Sequence, residues 1–174
     1  MAATQPTVHA GCVVLGDAGV LVRGPSQSGK TTLQALLVDR ARTAGRFAVF
    51  VSDDRTLLAA HGGRLIARAP ARLAGLREAA GRGIVAVAHV DAAVVRLVVD
   101  LVDGETLPRM PEEALLATRL AGVPVPRQPV PARSALVAAL LVESALSVLG
   151  AMWPAGHEAA SMSPDAREAF GGRR

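Results

Sequence analysis

The chain has 174 residues, 51% hydrophobic but only 2% aromatic with no Tyr, and a formal net charge of +4 with mean hydropathy +0.34. Its longest clean apolar run, Ala135 to Val142, falls far short of the roughly 18 residues a membrane span needs, and the single Cys12 excludes an internal disulfide. Apart from the terminal Arg173-Arg174 pair the cations are scattered, and three Phe and one Trp offer few stacking platforms, so neither a membrane nor a nucleic acid fits as partner.

A chain of this size suits one domain, and a core of Val, Leu, Ala and Ile favours an α/β architecture. Val8 to Leu15 reads as a first strand, Gly16-Asp17-Ala18-Gly19 as a turn, and Val20 to Val22 as a second strand, together a hairpin. Cys12 reads as a small core residue. His9, taken alone, reads as a strand-end surface histidine.

The next nine residues, Gly24-Pro25-Ser26-Gln27-Ser28-Gly29-Lys30-Thr31-Thr32, fit G-x-x-x-x-G-K-[ST], and Leu33, Leu36, Leu37 and Ala41 after them recur at helical spacing. Strand, glycine-rich loop and helix in that order make a phosphate-binding loop (Walker A). The glycines let backbone N–H groups face phosphate oxygens, and the helix adds its positive end. Lys30 is positioned for the outer phosphates and Thr31 for Mg²⁺, so the expected ligand is a Mg²⁺-nucleotide. Lys30 is also the chain's one lysine; the other 18 of its 19 Lys+Arg residues are arginine. A compact, mobile ammonium stands at the one place where phosphate chemistry favours it over a planar guanidinium.

Ala44-Gly45-Arg46 ends the helix. Phe47 to Val51 should then be a parallel strand beside the loop strand, delivering Ser52-Asp53-Asp54-Arg55 at its C-terminal end, the Walker B position. Adjacent side chains on extended backbone point apart, so Asp53 and Asp54 should divide the work, one toward Mg²⁺ and one toward the proton of an attacking hydroxyl. The rival reading is an Asp-Asp turn with a local ion pair. Leu57 to Ala60 and Arg64 to Arg68 read as a hairpin turning at His61-Gly62-Gly63. In Ala74 to Val85 the glycines mark a tight loop into a strand, with Glu78 a carboxylate for the metal. Val94 to Val102 reads as an apolar strand, Pro108 to Pro131 as a Pro-rich segment, and Ser134 as the cap of a helix whose inner face carries Leu136, Val137, Leu140, Leu141 and Leu146. Residues 1–150 should form one catalytic domain. Residues 151–174 should be a partly disordered tail, with one short helix starting at Ser163-Pro164-Asp165.

With no second lysine the chain has no N-K-x-D guanine-reading motif, and protein-kinase signatures are absent. The series of motifs from Val8 to Arg133 resembles the HPr kinase/phosphorylase family, in particular its short form with the catalytic domain alone. The resemblance rests on His9 fifteen residues before Gly24; on Gly24 to Thr31; on Val51-Ser52-Asp53-Asp54-Arg55; and on Gly75-Leu76-Arg77-Glu78 through Gly81-Arg82-Gly83-Ile84-Val85, which is similar to G-L-x-E-x-R-G-x-G-I-[IV].

The resemblance implies a P-loop kinase-type domain (HPr kinase C-terminal/PEP carboxykinase-like) with a mixed sheet and flanking helices. It implies a cytoplasmic, ATP- and Mg²⁺-dependent enzyme that phosphorylates a serine of HPr, a carrier protein of the sugar phosphotransferase system, and in many members also removes that phosphate by phosphorolysis. It further implies that Lys30 binds phosphates, that Thr31, Asp53 and Glu78 hold Mg²⁺, and that Asp54 exchanges the serine proton. His9 and Arg109 become catalytic residues, and the oligomer a hexamer. The chain departs from the pattern at Ala80, where the family has Arg, and at Pro131-Ala132-Arg133-Ser134, where it has P-G-R-N. Two other readings of the loop are a small-molecule kinase with the Arg-rich Pro70 to Arg82 segment as lid, and a catalytically weak ATP-binding regulatory module.

Overall fold

The computed structural model describes residues 7–150, and the expected tail at 151–174 lies outside them. The elements in chain order are β1 (Thr7–Leu15), β2 (Ala18–Arg23), α1 (Lys30–Thr43), β3 (Ala48–Ser52), β4 (Arg55–His61), β5 (Arg64–Arg68), β6 (Leu76–Ala79), β7 (Gly83–Ala86), β8 (Ala92–Val102), β9 (Ala117–Leu120), β10 (Val123–Pro131) and α2 (Ala135–Val148). The expected mixed sheet with flanking helices is therefore present.

Strand pairing arranges five strands side by side as β3-β1-β2-β8-β10. β2, β8 and β10 are parallel, and β1 is antiparallel to both β2 and β3. The starts of β1 and β8 continue into a second, smaller layer through β4 and β5, all antiparallel. The apolar alternation serves two cores. Val13, Val20, Val22, Leu97 and Val99 pack under the helices. Cys12, Leu21, Val51, Leu65 and Val98 fill the space toward the β4–β5 layer. Full burial pushes the Cys12 thiol up to about 12, so it packs as a small apolar group.

Four local expectations change. The carboxylate strand β3 runs parallel to the loop strand β2 but is not beside it, because β1 lies between them and pairs with both. The first turn is Gly16-Asp17 alone, since Ala18 and Gly19 already pair with Leu15 and Val14. The Pro-rich segment contains β9 and β10. β10 is tolerated because its first half pairs only with β9 and its second half only with β8, so proline N–H groups are missed little. Finally, α2 turns Ala138, Ala139, Val142 and Leu146 inward, leaving Leu136, Val137, Leu140 and Leu141 exposed. Only Leu146 of the expected face is buried. A helix apolar almost all round carries no decisive periodicity. Its rotation goes with alanines that permit close packing, and with Glu143, which accepts two hydrogen bonds from Arg40 of α1 at 2.7 and 2.9 Å. Ser134 occupies the N-terminal position of α2, but its side chain makes no capping hydrogen bond.

At the C-terminal end of the parallel strands, Asp100 accepts from Nε and Nη2 of Arg23, both at 2.7 Å, and from Nε of Arg127. Nη1 of Arg127 donates to the Leu115 carbonyl at 3.0 Å. The group ties β2, just before Gly24, to β8, β10 and the 103–116 connection. Burial disfavours the Asp100 charge, but the two guanidiniums outweigh it and hold its carboxyl below the ordinary range. A carboxyl lowered on folding contributes stability that is present above its unfolded value of about 3.9 and is lost as pH falls through the folded value. Urea unfolding should therefore show stability dropping below about pH 4, and the Asp100→Asn variant, less stable at neutral pH, should show a flatter acid limb.

Candidate functional site

Gly24 leaves β2 against β8: a Cβ there would lie 2.7 Å from Ser28 Oγ and 2.8 Å from Leu101 Cβ, so the turn takes no side chain. The Ser28 N–H donates to the Pro25 carbonyl at 3.2 Å, and the Arg133 N–H closes the loop from the far side by donating to the Ser28 carbonyl at 3.0 Å. Gly29, with φ 98, turns the chain into α1. The first helical bond runs from the Leu33 N–H to the Gly29 carbonyl at 2.9 Å, which leaves the N–H groups of Lys30, Thr31 and Thr32 at the open end of the helix with no side-chain cap. The Ser28 hydroxyl is buried there without a hydrogen-bond partner. Open amides, an orphan hydroxyl and a helix dipole fit an anion.

Lys30 is 6% exposed, and its ammonium donates to the Gly24 and Pro25 carbonyls at 3.1 Å each. It folds back over its own loop, with its Nζ 3.9 Å from Oδ1 of Asp54.

The carboxylates divide as their opposite orientations require. Asp53 accepts from the Thr31 hydroxyl at 3.2 Å through one oxygen and from the Glu78 N–H at 2.8 Å through the other. Asp54, exposed, lies 2.8 Å from Nε2 of His9. The separation follows from strand pairing: Cys12 sits opposite Ser52 and His9 opposite Arg55, so the β3–β4 bend brings Asp54 to the start of β1. Thr56 holds that bend, donating to the Ala10 carbonyl at 2.6 Å while its hydroxyl meets that of Ser52 at 2.7 Å. The Thr31 hydroxyl and Asp53 carboxylate form a small, oxygen-only donor set. That suits a hard divalent cation completed by phosphate oxygens and water. Among the described residues no group of three His, Cys, Asp or Glu forms a cage that would hold a metal unaided.

Of the residues singled out from the sequence, His9, Lys30, Thr31, Asp53 and Asp54 are brought together. Glu78 lies on β6, within a β6–β7 hairpin rather than a loop, and reaches the group through its N–H. Arg109 is exposed in the 103–116 connection, with no ion pair or hydrogen bond to these residues. Pro25, Ser26 and Gln27 are exposed on the loop, and Thr32 is exposed in the first turn of α1. Two contributors had no signal in the motifs. Gln34, fully buried on α1, donates to the Asp53 carbonyl at 3.2 Å. Arg77 sets its guanidinium 5.3 Å from the centroid of Phe50. A polar residue on the inner face of α1, one turn past the loop, was the available clue to Gln34.

Strand, loop, helix and paired carboxylates define a mixed α/β domain built around a helix terminus whose open amides fit an anion. No family model matches the chain, and no curated protein matches it. Among solved structures it is similar to the HPr(Ser) kinase/phosphatase from Coxiella burnetii, at 28% sequence identity and a TM-score of 0.69, over 83% of this chain and 99% of that one. The resemblance to the HPr kinase family carried by the motifs is thus borne out in three dimensions. No described helix is long and apolar enough to cross a membrane.

The approach of β1 to the bend leaves no room at Gly11, where a Cβ would lie 2.1 Å from the Asp53 carbonyl oxygen and 2.2 Å from Gln34 Nε2. Gly11→Ala should lower stability by about 1–3 kcal/mol, read from denaturant unfolding, and should displace Asp53.

Proposed function

We propose that residues 7–150 form the catalytic domain of an ATP- and Mg²⁺-dependent kinase that phosphorylates a serine of an HPr-like phosphocarrier protein. The observation that carries this is the Asp53-Asp54 bend, with one carboxylate on the Thr31 hydroxyl and its neighbour between His9 and Lys30. Similarity to an HPr(Ser) kinase/phosphatase supports the choice of partner.

In this reading the N–H groups of Lys30, Thr31 and Thr32 and the Ser28 hydroxyl take the phosphate chain of ATP. Lys30 swings from the Gly24 and Pro25 carbonyls to the terminal phosphate. Thr31 and Asp53 would hold Mg²⁺, which neutralises phosphate charge when bound. The acceptor serine oxygen bonds to the terminal phosphorus as the bond from that phosphorus to the bridging oxygen breaks and ADP leaves. Asp54 accepts the serine proton, and His9, 2.8 Å from it, holds the carboxylate in place. Placing the serine oxygen in line with the phosphorus and the departing bridging oxygen, with the carboxylate beside the attacking hydroxyl, accounts for most of the acceleration, since phosphoryl transfer asks mainly for positioning and charge stabilisation. Arg109 is the cation that the 103–116 connection would bring over the transferring group.

Intact-mass analysis of HPr incubated with the protein and Mg²⁺-ATP tests this reading. One phosphoryl addition is expected, and none with Lys30→Ala. Asp54→Asn should bind ATP almost normally yet turn over about 10²- to 10⁴-fold more slowly. Full turnover by Asp54→Asn would overturn its role as base. Inorganic phosphate added to the phosphorylated product tests reversal.

A further inference from the structure

Beside the carboxylate bend, between β3–β4 and the β6–β7 hairpin, lies a cavity of about 280 Å³. Ser52, Asp53 and Asp54 form one end. Ala69, Leu73, Leu76 and Ile84 form the rest of its apolar wall. Asp54 lines it and no residue of the Gly24–Thr32 loop does, so it adjoins the proposed base without belonging to the loop proposed to hold the phosphates. Leu73, Leu76 and Ile84 are 44%, 40% and 66% exposed. Apolar side chains left this open around a recess beside the proposed base are a recognition feature rather than a core.

The volume falls just below the roughly 300–1,000 Å³ of small-molecule sites, and such sites carry convergent polar groups on their walls. Here two of the lining carboxylates already have partners: Asp53 with Thr31 and Glu78, Asp54 with His9. The apolar wall of Ala69, Leu73, Leu76 and Ile84 offers nothing to the hydroxyls of a sugar or the edges of a base. It fits the apolar side chain of a polypeptide. Arg55, Arg77 and Glu78 also line the recess, so its charged lining is mixed in sign and the apolar wall is left as the selecting feature.

The hairpin is anchored where this use requires it. Gly75, at its base, backs onto His89, whose Nδ1 lies 2.6 Å from where a Cβ would stand. Arg77 packs over Phe50, and the Glu78 N–H holds Asp53. A side chain seated against Leu76 and Ile84 therefore presses on the strand that orients the metal-side carboxylate.

We infer that this cavity is an acceptor-specificity subsite that takes a large aliphatic side chain next to the phosphorylated serine of the partner protein. The inference rests on the kinase reading above and adds the feature by which the partner is selected.

Steady-state kinetics with HPr as acceptor test it. Ile84→Arg and Leu73→Glu alter exposed residues and should keep the wild-type thermal midpoint. Each should raise the KM for HPr about tenfold or more. The kcat at saturating HPr and the affinity for ATP should stay within about twofold, and Ile84→Val should behave as wild type. An unchanged KM in both charged variants, or a loss confined to kcat or ATP affinity, overturns the subsite and leaves the kinase reading in place. A wild-type protein that binds ATP but transfers nothing to HPr overturns the kinase reading, and the subsite with it.

Discussion

The site depends on the antiparallel position of β1. Because β1 runs against both β2 and β3, its beginning lies at the same end of the sheet as their ends. His9, Gly24 and the Asp53-Asp54 bend are far apart in sequence, yet this one pairing sets them side by side. Two parallel strands could bring a loop and a carboxylate together without it. They could not add a residue from a strand start, since every parallel neighbour begins at the opposite edge.

Small contacts then convert shared position into defined geometry. The Ser52–Thr56–Ala10 hydrogen bonds fix the bend, and Gln34 holds the Asp53 backbone. The first set is buried and the second partly so, and away from water a hydrogen bond is worth most because leaving its partner unsatisfied costs most. The Arg23–Asp100–Arg127 group does similar work outside the carboxylates. It braces the strand that feeds the loop against the connection that carries Arg109.

What was legible in the sequence was whatever depends on local chemistry. The Gly24–Thr32 loop, the α1 helix with its glycine stop, the Gly62-Gly63 hairpin and the opposite facing of Asp53 and Asp54 all follow from neighbouring residues, and the structure contains each. Long-range pairing was not legible. Nothing in Phe47 to Val51 says that β1 will come between it and β2. The proline content of 123–131 argued against a strand that survives because each half pairs on one side. For α2, Leu and Ala offer equally apolar faces, and packing against α1 with the Arg40–Glu143 pair selects between them. His9 was recognisable through family resemblance, because its importance lies in a partner 45 residues away.

The chain's one lysine side chain sits inside the loop, donated to two carbonyls and nearly closed to solvent. Acylating reagents, and any enzyme that modifies lysine side chains, therefore have a single side-chain amine to find among the described residues. They reach it only when those two hydrogen bonds open. Its labelling rate is a direct clock for loop opening, and acetylation there would remove the one charge that the loop cannot replace.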